Sequence, residues 1–383
     1  MYSLTAYGDM IRDRVRMDAY ATALRRAIRP GATVVDIGTG TGIMACLACS
    51  YGARRVYAIE PADAIDTARE IARANGLADR IEFIQERSTA VSLPERADVV
   101  VSDLRGVLPL VHDHLPSVVD ARRRLLKPGG VLIPRRDVIR VAVACAPDLY
   151  ESRVRPWEAN DYGLDMRAVI RIETNAWQKC RARADHVLLE PQSLATLDYV
   201  TVESPGIAGD LCWTVARAGE AHGLLVWFDA ELDDESGFSN APDAPAVIYG
   251  QAFFPWSRAV PLDAGHTVAV SMTATLVGDD YVWVWNTRIV GAGPGAVTAA
   301  FRQSSFLGQP LSRATLARRA ADHVPSLNED GRLDRLILEL LDQHVPLGRI
   351  ADAVCAKFPG RLTTREQALA RVADLSVRYG ASP

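Results

Sequence analysis

Hydrophobic positions along the chain change their spacing several times, and each spacing predicts a different kind of structure. Over residues 2–29 apolar side chains recur every three or four positions, which predicts helix. From Thr33 to Pro134 short β-branched runs, such as TVVDIG and ADVVVSD, alternate with helical stretches. That alternation is typical of a parallel sheet with helices on both faces. The pattern therefore predicts a doubly wound α/β domain over residues 1–134.

After Pro134 the apolar runs are short and are separated by Gly, Pro, Asp and Asn, which predicts an antiparallel β domain, a barrel or a sandwich, over residues 135–310. The predicted strands are VIRVAVACA, HVLLE, GLLVWFDAEL, AVIYGQAFFPW, HTVAVSMTATL and YVWVWNTRIV. From Leu311 onward helical spacing returns, in LDRLILELLDQH, LGRIADAVCAKF and EQALARVADLSVRYG. The pattern therefore predicts a small helical domain over residues 311–383.

The composition limits which partners the protein is expected to bind and which cellular compartment it is expected to occupy. With 43 basic and 47 acidic residues the net charge is -4, so no broad basic surface is expected to bind a nucleic acid. The charged, amphipathic N-terminus has no apolar run for secretion or membrane insertion. Six cysteines are scattered without zinc-type pairing, so we expect no metal site and a reducing, cytoplasmic location.

The clearest chemical signal is VVDIGTGTG, which runs from the end of the first predicted strand into a helix. Its glycines let the backbone turn sharply and approach a ligand, because no Cβ occupies that space. The acidic residue two positions before the first glycine suits a ligand with a cationic amino-acid group. The residues of this candidate cofactor loop are Asp36, Gly38, Thr39, Gly40 and Gly42.

Acidic and hydroxyl residues follow the next two predicted strands. Glu60 ends VYAIEP, where its carboxylate can accept hydrogen bonds from both hydroxyls of a ribose. Ser88 and Thr89 follow the third strand, where they can contact an adenine. The alternatives are that Glu60 caps a helix and that Ser88 and Thr89 form a turn. A nicotinamide dehydrogenase would also use a ribose-binding acid, so these residues support a nucleoside ligand without naming it.

Longer sequence segments resemble the protein arginine methyltransferases over about residues 1–290. They include the leading segment YGDMIRDRVR, the post-sheet run LKPGG, and the later segments YGLDM and GFSNAPDAPAVIYGQAFF. The resemblance implies a Rossmann-like S-adenosyl-L-methionine domain followed by a β-barrel, with S-adenosyl-L-homocysteine as product. By the same resemblance Arg16 binds the methionine carboxylate of the cofactor, and Met10 packs near its sulfonium. It further implies a homodimer with an arm near residues 166–184.

The predicted substrate loop departs from the family pattern. The family grips a guanidinium with two glutamates, whereas the loop SDLRGVLPLVH places Asp103 and His112 at those positions and adds Arg105. The family's Thr-His-Trp element corresponds to residues 247–249, which lack the histidine, although Asp13, its usual partner, is present. His112 is a candidate general base. If the loop is shifted, the neighbouring Asp113 or His114 takes that role.

These observations favour an S-adenosylmethionine-dependent N-methyltransferase that acts on a guanidine or amine nitrogen of a peptide or small molecule, with natural-product biosynthesis as one setting. Two alternatives remain: an O-methyltransferase, and a non-catalytic protein that binds the cofactor or a peptide. The C-terminal helices resemble small domains that bind leader peptides in peptide-modifying enzymes. The alternative is a packing or dimer-supporting unit, and the leucines are better explained as its core than as a groove for a partner, since they follow ordinary helical spacing.

Overall fold

The protein is described by a computed structural model over residues 3–291, 297–362 and 364–380. The chain divides into two compact units, Met1–Pro310 and Leu311–Pro383. No helix within the described ranges has the length and apolar character that crossing a membrane requires.

The first part of the larger unit is a five-stranded sheet, parallel throughout, with the strand order β3-β2-β1-β4-β5. This order confirms the predicted Rossmann-like α/β fold. The strands are β1 (Thr33–Ile37), β2 (Arg55–Ile59), β3 (Ile81–Ile84), β4 (Ala97–Ser102) and β5 (Leu126–Ile133). The helices are α1 (Leu4–Arg12), α2 (Arg14–Ala27), α3 (Ile43–Ser50), α4 (Ala64–Ala74) and α5 (His114–Arg124).

The N-terminal helical region is interrupted at Asp13, whereas the apolar spacing predicts continuous helix. Asp13 ends α1 and caps α2, because its carboxylate accepts a hydrogen bond from the backbone N–H of Arg16 at 3.1 Å. An acceptor at this position satisfies one of the free N–H groups that every helix start exposes. After this break α2 buries Arg16 and Tyr20, and the Tyr20 hydroxyl donates a hydrogen bond to the carbonyl of Ser102 at the end of β4.

The second part of the larger unit consists of two antiparallel sheets, as predicted. One has the order β7-β12-β10-β6-β8 with β11 paired to β10, and the other has the order β15-β14-β13-β9. Closure of the sheets into a barrel stays a prediction. The strands are β6 (Arg136–Ala144), β7 (Gln178–Cys180), β8 (Gln192–Asp198), β9 (Ile207–Thr214), β10 (Gly219–Glu231), β11 (Gly237–Ser239), β12 (Gln251–Leu262), β13 (Thr267–Val277), β14 (Asp280–Val290) and β15 (Val297–Ser304), and two helices, α6 (Pro147–Glu158) and α7 (Ile170–Glu173), lie between β6 and β7.

Two local predictions in this part were wrong. The segment HVLLE forms an isolated antiparallel bridge, between Val187 and Ala144, and no strand, and the backbone N–H groups of Leu188 and Leu189 both donate to the carbonyl of Val143. AVIYG likewise precedes β12 and does not extend it. Conversely, β8 and β9 were not among the predicted strands, because their small and polar residues form no continuous apolar run. In β9 the strand is recognisable only from the alternation of buried and exposed positions in the structure.

The smaller unit is helical, as predicted. Its helices are α8 (Arg313–Arg319), α9 (Glu329–Asp342), α10 (Leu347–Lys357) and α11 (Arg365–Tyr379). The last three pack around a core that includes Ile337, Val354 and Val372, all fully buried. The leucine spacing in α9 is thus explained by packing within the unit.

Candidate functional site

The candidate site lies where β1, β2 and β4 end. Ile37 at the end of β1 pairs with Ile59 of β2 on one side and with Ser102 of β4 on the other. Because the strands are parallel, the residues that follow them meet at one edge of the sheet. This edge brings the glycine loop, Glu60 and Asp103 together.

The glycine loop is tightly wound. Gly38 and Gly40 have positive φ angles of 72° and 53°, which residues with a Cβ adopt only with strain. A Cβ on Gly40 would overlap the ring of Tyr7 from α1, and one on Gly38 would lie 2.5 Å from the side chain of Leu104. Gly42, also at positive φ, is the N-cap residue of α3. The loop therefore has no room for larger residues.

Glu60 is buried and holds the loop in place. Its Oε2 accepts a hydrogen bond from the backbone N–H of Gly40, and its Oε1 accepts one from that of Ala62, both at 3.0 Å. Ser88, after β3, is buried, and its carbonyl accepts a hydrogen bond from Arg124, whereas Thr89 is exposed. The backbone N–H of Glu60 donates to the carbonyl of Ile84, at the end of β3, so these predicted residues lie at neighbouring strand ends.

Asp36 lies beneath the glycine loop and is almost completely buried. Burial raises the pKa of its carboxyl from 3.8 to about 7, although a hydrogen bond from Thr39 Oγ1 at 2.5 Å opposes the shift. The protonated form is therefore favoured in the folded protein more than in the unfolded chain. A positively charged group beside Asp36 would favour the ionised carboxylate instead.

Asp36 is expected to make stability depend on pH. Because its folded pKa is raised, its contribution is full below pH 3.8 and is lost as the pH rises through about 7. In this window the wild type should lose up to about 1.4 kcal/mol of unfolding free energy per pH unit relative to Asp36→Asn. Urea denaturation at several pH values measures the difference. The exposed Asp66→Asn is the control, and parallel curves for wild type and Asp36→Asn would contradict the expectation.

Asp103 is buried in a cluster of donors. Its Oδ2 accepts hydrogen bonds from Arg16 Nε at 2.5 Å and from the Tyr249 hydroxyl at 2.6 Å, and its Oδ1 accepts one from Arg105 Nη1 at 3.2 Å. Arg16 also donates to the carbonyl of Met10 at 3.2 Å. Arg16 thus contacts both Met10 and Asp103, so these three predicted residues are neighbours in the structure.

The charges around Asp103 determine its ionisation. Burial by itself raises the pKa of this carboxyl, but the positive charges of Arg16 and Arg105 outweigh burial and hold the pKa below its usual 3.8. Burial raises the pKa of Tyr249 well above 10, and the negative charge of Asp103 adds to the effect. Asp103 is therefore an anion and Tyr249 a neutral hydroxyl at physiological pH.

A second carboxylate, Asp137 on β6, lies behind Asp103. Arg105 Nε and Nη2 donate to its two oxygens at 2.7 and 2.9 Å, and the Tyr199 hydroxyl donates to Oδ2 at 2.5 Å. His114 Nε2 lies 3.0 Å from the Tyr199 hydroxyl. Burial, helped by the positive charge of Arg105, lowers the pKa of His114 to about 3, so its imidazole is neutral. These residues form a fully enclosed polar network.

His112 has different surroundings. It is exposed, has a positive φ of 41°, and its Nδ1 lies 3.0 Å from the backbone carbonyl of Asp279. Asp113 makes a surface ion pair with Arg87 at 3.3 Å. Of the three candidates in this loop segment, His114 is the one that contacts the buried network around Asp137. The catalytic role of His112 stays a prediction.

Sequence reasoning missed four residues of the buried network: Tyr20, Asp137, Tyr199 and Tyr249. Tyr249 was noted only as part of an element without its histidine. Asp137 carried a signal, because an acidic residue at the start of an apolar strand needs a buried partner. Tyr20 has the spacing of an ordinary core residue, although its hydroxyl donates to the carbonyl of Ser102 at 3.0 Å.

Comparisons with known proteins give a consistent result. A family model described as the arginine methyltransferase oligomerization subdomain matches residues 138–279, and one described as a methyltransferase domain matches residues 34–130. The chain is 39% identical over 305 residues to protein arginine N-methyltransferase PRMT10 of Oryza sativa subsp. japonica, covering 69% of this chain and 79% of that protein. It is 32% identical over 243 residues to the probable protein arginine N-methyltransferase 6 of Arabidopsis thaliana, covering 61% of this chain.

The chain spans only 55% of the length of that Arabidopsis relative. Among solved structures, an open conformation of protein arginine methyltransferase 10 from Arabidopsis thaliana is similar, with a TM-score of 0.69 and 25% identity, covering 79% of this chain and 97% of the other. A Trypanosoma brucei PRMT1 enzyme-prozyme complex, crystallised with AdoHcy, has a TM-score of 0.71 at 21% identity, covering 78% and 96%. The latter likeness concerns the fold alone.

Proposed function

Because this chain belongs to the protein arginine methyltransferase family, we propose that it transfers a methyl group from S-adenosyl-L-methionine to a guanidine or amine nitrogen. The acceptor is part of a peptide or a small molecule. One observation carries the proposal: the glycine loop, Glu60 and the Arg16–Asp103 pair meet at the same edge of the parallel sheet. That edge is where open α/β sheets bind their ligands.

The residues at this edge suit the proposed donor. Gly38 and Gly40 leave the loop backbone without a Cβ, as the close approach of a ligand requires, and the side chains of Leu104 and Tyr7 pack against these two glycines. Glu60 would accept hydrogen bonds from the ribose hydroxyls, and Ser88 and Thr89 would contact the adenine. Arg16 would bind the carboxylate, and Asp36 would stabilise the ammonium group of the amino-acid part. The donor, when bound, supplies an electrophilic methyl group on a positively charged sulfur.

The acceptor is proposed to bind beside Asp103. This anion lies in a buried setting, where a fixed charge orients a ligand more strongly than it would in water. Tyr249 holds the carboxylate from the β domain while Arg16 holds it from α2. Positioning of the nitrogen and exclusion of water would provide most of the rate enhancement.

The first experiment is label transfer. Purified protein is incubated with methyl-labelled S-adenosylmethionine, a panel of arginine peptides and amines, and a metabolite extract, and products are identified by mass spectrometry. Label on nitrogen supports the proposal. Label on oxygen would favour an O-methyltransferase. Binding of S-adenosylhomocysteine without label on any acceptor would favour a non-catalytic cofactor-binding protein.

Two variants should distinguish the roles of Asp103 and His112, which lie in the same loop. Asp103→Ala is expected to lower turnover by about 10²-fold, the effect of a misplaced acceptor, because Asp103 is an anion that would orient the nitrogen. His112→Ala should lower it similarly only if His112 acts as the general base, since its contact with Asp279 is otherwise a surface contact. Initial rates at saturating acceptor measure both effects. Unchanged turnover in Asp103→Ala would remove Asp103 from the acceptor site.

We also propose that the protein is a homodimer. The matched oligomerization subdomain supports this, and so do the exposed apolar side chains of Tyr162, Leu164 and Met166, which lead into the predicted arm. Apolar residues grouped at a surface are typical of protein contacts. Sedimentation equilibrium of the full chain tests the proposal, and a single species of 41.7 kDa at micromolar concentration would contradict it.

A further inference from the structure

The hydroxyl of Tyr249 contacts Asp103 from the β part of the larger unit. It donates a hydrogen bond to Oδ2 of Asp103 at 2.6 Å, and its oxygen accepts one from Arg16 Nε at 3.1 Å. Residues 247–249 correspond to the family's Thr-His-Trp element, so the family has at this position a tryptophan, which carries no hydroxyl. The contact between Tyr249 and Asp103 is therefore a feature of this chain.

The ring of Tyr249 packs against two phenylalanines. It stacks on the ring of Phe238 with a centre-to-centre distance of 5.8 Å and an interplanar angle of 1°, and the edge of the contact with Phe228 has a centre-to-centre distance of 5.3 Å. Aromatic pairs in such arrangements attract each other beyond the burial of their surface. Because the hydroxyl is rigidly attached to the ring, this packing sets its position.

The backbone on both sides of Tyr249 is also held. The backbone N–H of Ile248 donates to Asp13 Oδ2 at 2.7 Å, so the segment before β12 is connected to the residue that caps α2. Gly250 has a positive φ of 65°, which favours glycine, and its carbonyl accepts a hydrogen bond from Nδ2 of Asn240. The hydroxyl of Tyr249 therefore has a defined place in the site.

Arg16 has two roles once the proposed donor is bound. In the structure its Nε donates to Asp103 at 2.5 Å and its Nη1 donates to the carbonyl of Met10 at 3.2 Å. The proposed function assigns the same guanidinium to the carboxylate of the cofactor. Two carboxylates then attract one cation, so Arg16 by itself cannot fix the orientation of Asp103. The O–H of Tyr249, in contrast, donates to Asp103 and is not assigned to the cofactor.

A tyrosine hydroxyl suits this place because it orients a carboxylate without neutralising it. Burial raises the pKa of Tyr249 well above 10, so the group stays a neutral donor. A carboxylate has about four acceptor positions, and the described hydrogen bonds from Arg16, Tyr249 and Arg105 use three of those on Asp103. Among the described contacts a position is thus left for the acceptor nitrogen.

We propose that Tyr249 is a positioning residue, whose neutral hydroxyl fixes the carboxylate of Asp103 so that the acceptor nitrogen is aligned with the methyl group of the donor. The inference rests on the proposed methyltransferase function and leaves its acceptor, a guanidine or an amine nitrogen, unchanged. It adds a residue of the β part to the acceptor site. Because Tyr249 acts through Asp103, removal of its hydroxyl should matter only while Asp103 is present.

Tyr249→Phe tests the hydroxyl by itself, because this variant retains the ring that packs against Phe228 and Phe238. Turnover is measured at saturating S-adenosylmethionine with the peptide or amine that the wild type methylates fastest in the label-transfer panel. The variant should lose about tenfold in turnover, less than the about 10²-fold expected for Asp103→Ala, because the carboxylate is present but less well aligned. Its affinity for S-adenosylhomocysteine, measured by calorimetry, should stay within about threefold of the wild-type affinity, since the cofactor residues are unchanged.

Two further variants make the result specific. Asp103→Ala combined with Tyr249→Phe should turn over within about threefold of Asp103→Ala, because the hydroxyl then has no carboxylate to hold, whereas independent effects would multiply to about 10³-fold. Tyr281→Phe is the matched control. The hydroxyl of this buried tyrosine donates to the carbonyl of Pro205 at 2.7 Å, so its loss should leave turnover at the wild-type level.

The outcomes distinguish the role of Tyr249 from the proposed function. A wild type that methylates no acceptor would contradict the proposed function and, with it, the role of Tyr249. If the wild type is active, unchanged turnover in Tyr249→Phe, multiplied effects in the double variant, or an equal loss in Tyr281→Phe would each overturn the role of Tyr249 alone. Loss of S-adenosylhomocysteine binding in Tyr249→Phe would also overturn it, because the hydroxyl would then support the fold or the cofactor site.

Discussion

Glu60→Ala is expected to weaken S-adenosylhomocysteine binding by about 100-fold. The buried carboxylate would accept two ribose hydroxyls, and a hydrogen bond to a charged group contributes roughly 1.5–3 kcal/mol. Two such bonds amount to about 3 kcal/mol or more, and 1.4 kcal/mol corresponds to a tenfold change in affinity. The substitution also removes the acceptor that holds the N–H of Gly40 at 3.0 Å. Isothermal titration calorimetry measures the change.

The control for Glu60 is Glu82→Ala on the neighbouring strand β3. Glu82 is exposed and lies on a strand that pairs with β2, so its loss removes a similar charge without touching the loop. The affinity of the Glu82→Ala variant for S-adenosylhomocysteine should stay within threefold of the wild-type affinity. Equal affinities in Glu60→Ala and Glu82→Ala would show that the ligand does not bind at the end of β2.

Asp137→Ala is expected to lower the free energy of unfolding of the larger unit by about 3–5 kcal/mol. The substitution leaves the fully buried guanidinium of Arg105 without its bidentate partner, and an uncompensated buried charge has a cost of that size. It also removes the acceptor of the Tyr199 hydroxyl. All seven tryptophans precede residue 311, so tryptophan fluorescence during urea denaturation reports on this unit alone.

Two comparisons make the Asp137 result specific. Glu231→Ala breaks the ion pair between Arg136 and Glu231, whose side chains are 41% and 36% exposed. It should lower the free energy of unfolding by about 0–1 kcal/mol. Asp137→Ala combined with Arg105→Leu should be more stable than Asp137→Ala, because both charges are then absent. If Asp137→Ala and Glu231→Ala are equally stable, burial of the Arg105–Asp137 pair has no energetic consequence.

The buried Arg105–Asp137 pair also bears on the difference between the predicted substrate loop and the family pattern. The sequence places an arginine between the positions of the family's two acids, and this placement alone suggests only an added positive charge. In the structure the arginine points inward and has a dedicated partner on the second domain. The loop therefore contains a buried ion pair where the sequence suggests only an added positive charge.

Much of the fold was predictable because it depends on local spacing. The alternation of β-branched runs and helical stretches predicted the parallel sheet, and leucine spacing predicted α9 to α11. The predictions were wrong where a tertiary contact outweighed local preference. HVLLE turns its N–H groups to β6, and the capping carboxylate of Asp13 divides one predicted helix into two.

The sequence by itself determined the glycine loop and its surroundings, since the glycines, Asp36 and Glu60 occupy set places at the ends of consecutive strands of a parallel sheet. Only the tertiary structure decided the surroundings of Asp103. Two of the three donors to Asp103, Arg16 and Tyr249, are 87 and 146 positions away from it in the sequence. Asp137 contacts Arg105 across the boundary between the α/β and β parts. A buried charge needs a partner, but spacing along the chain does not say which one, because that choice depends on how separate sheets pack against each other.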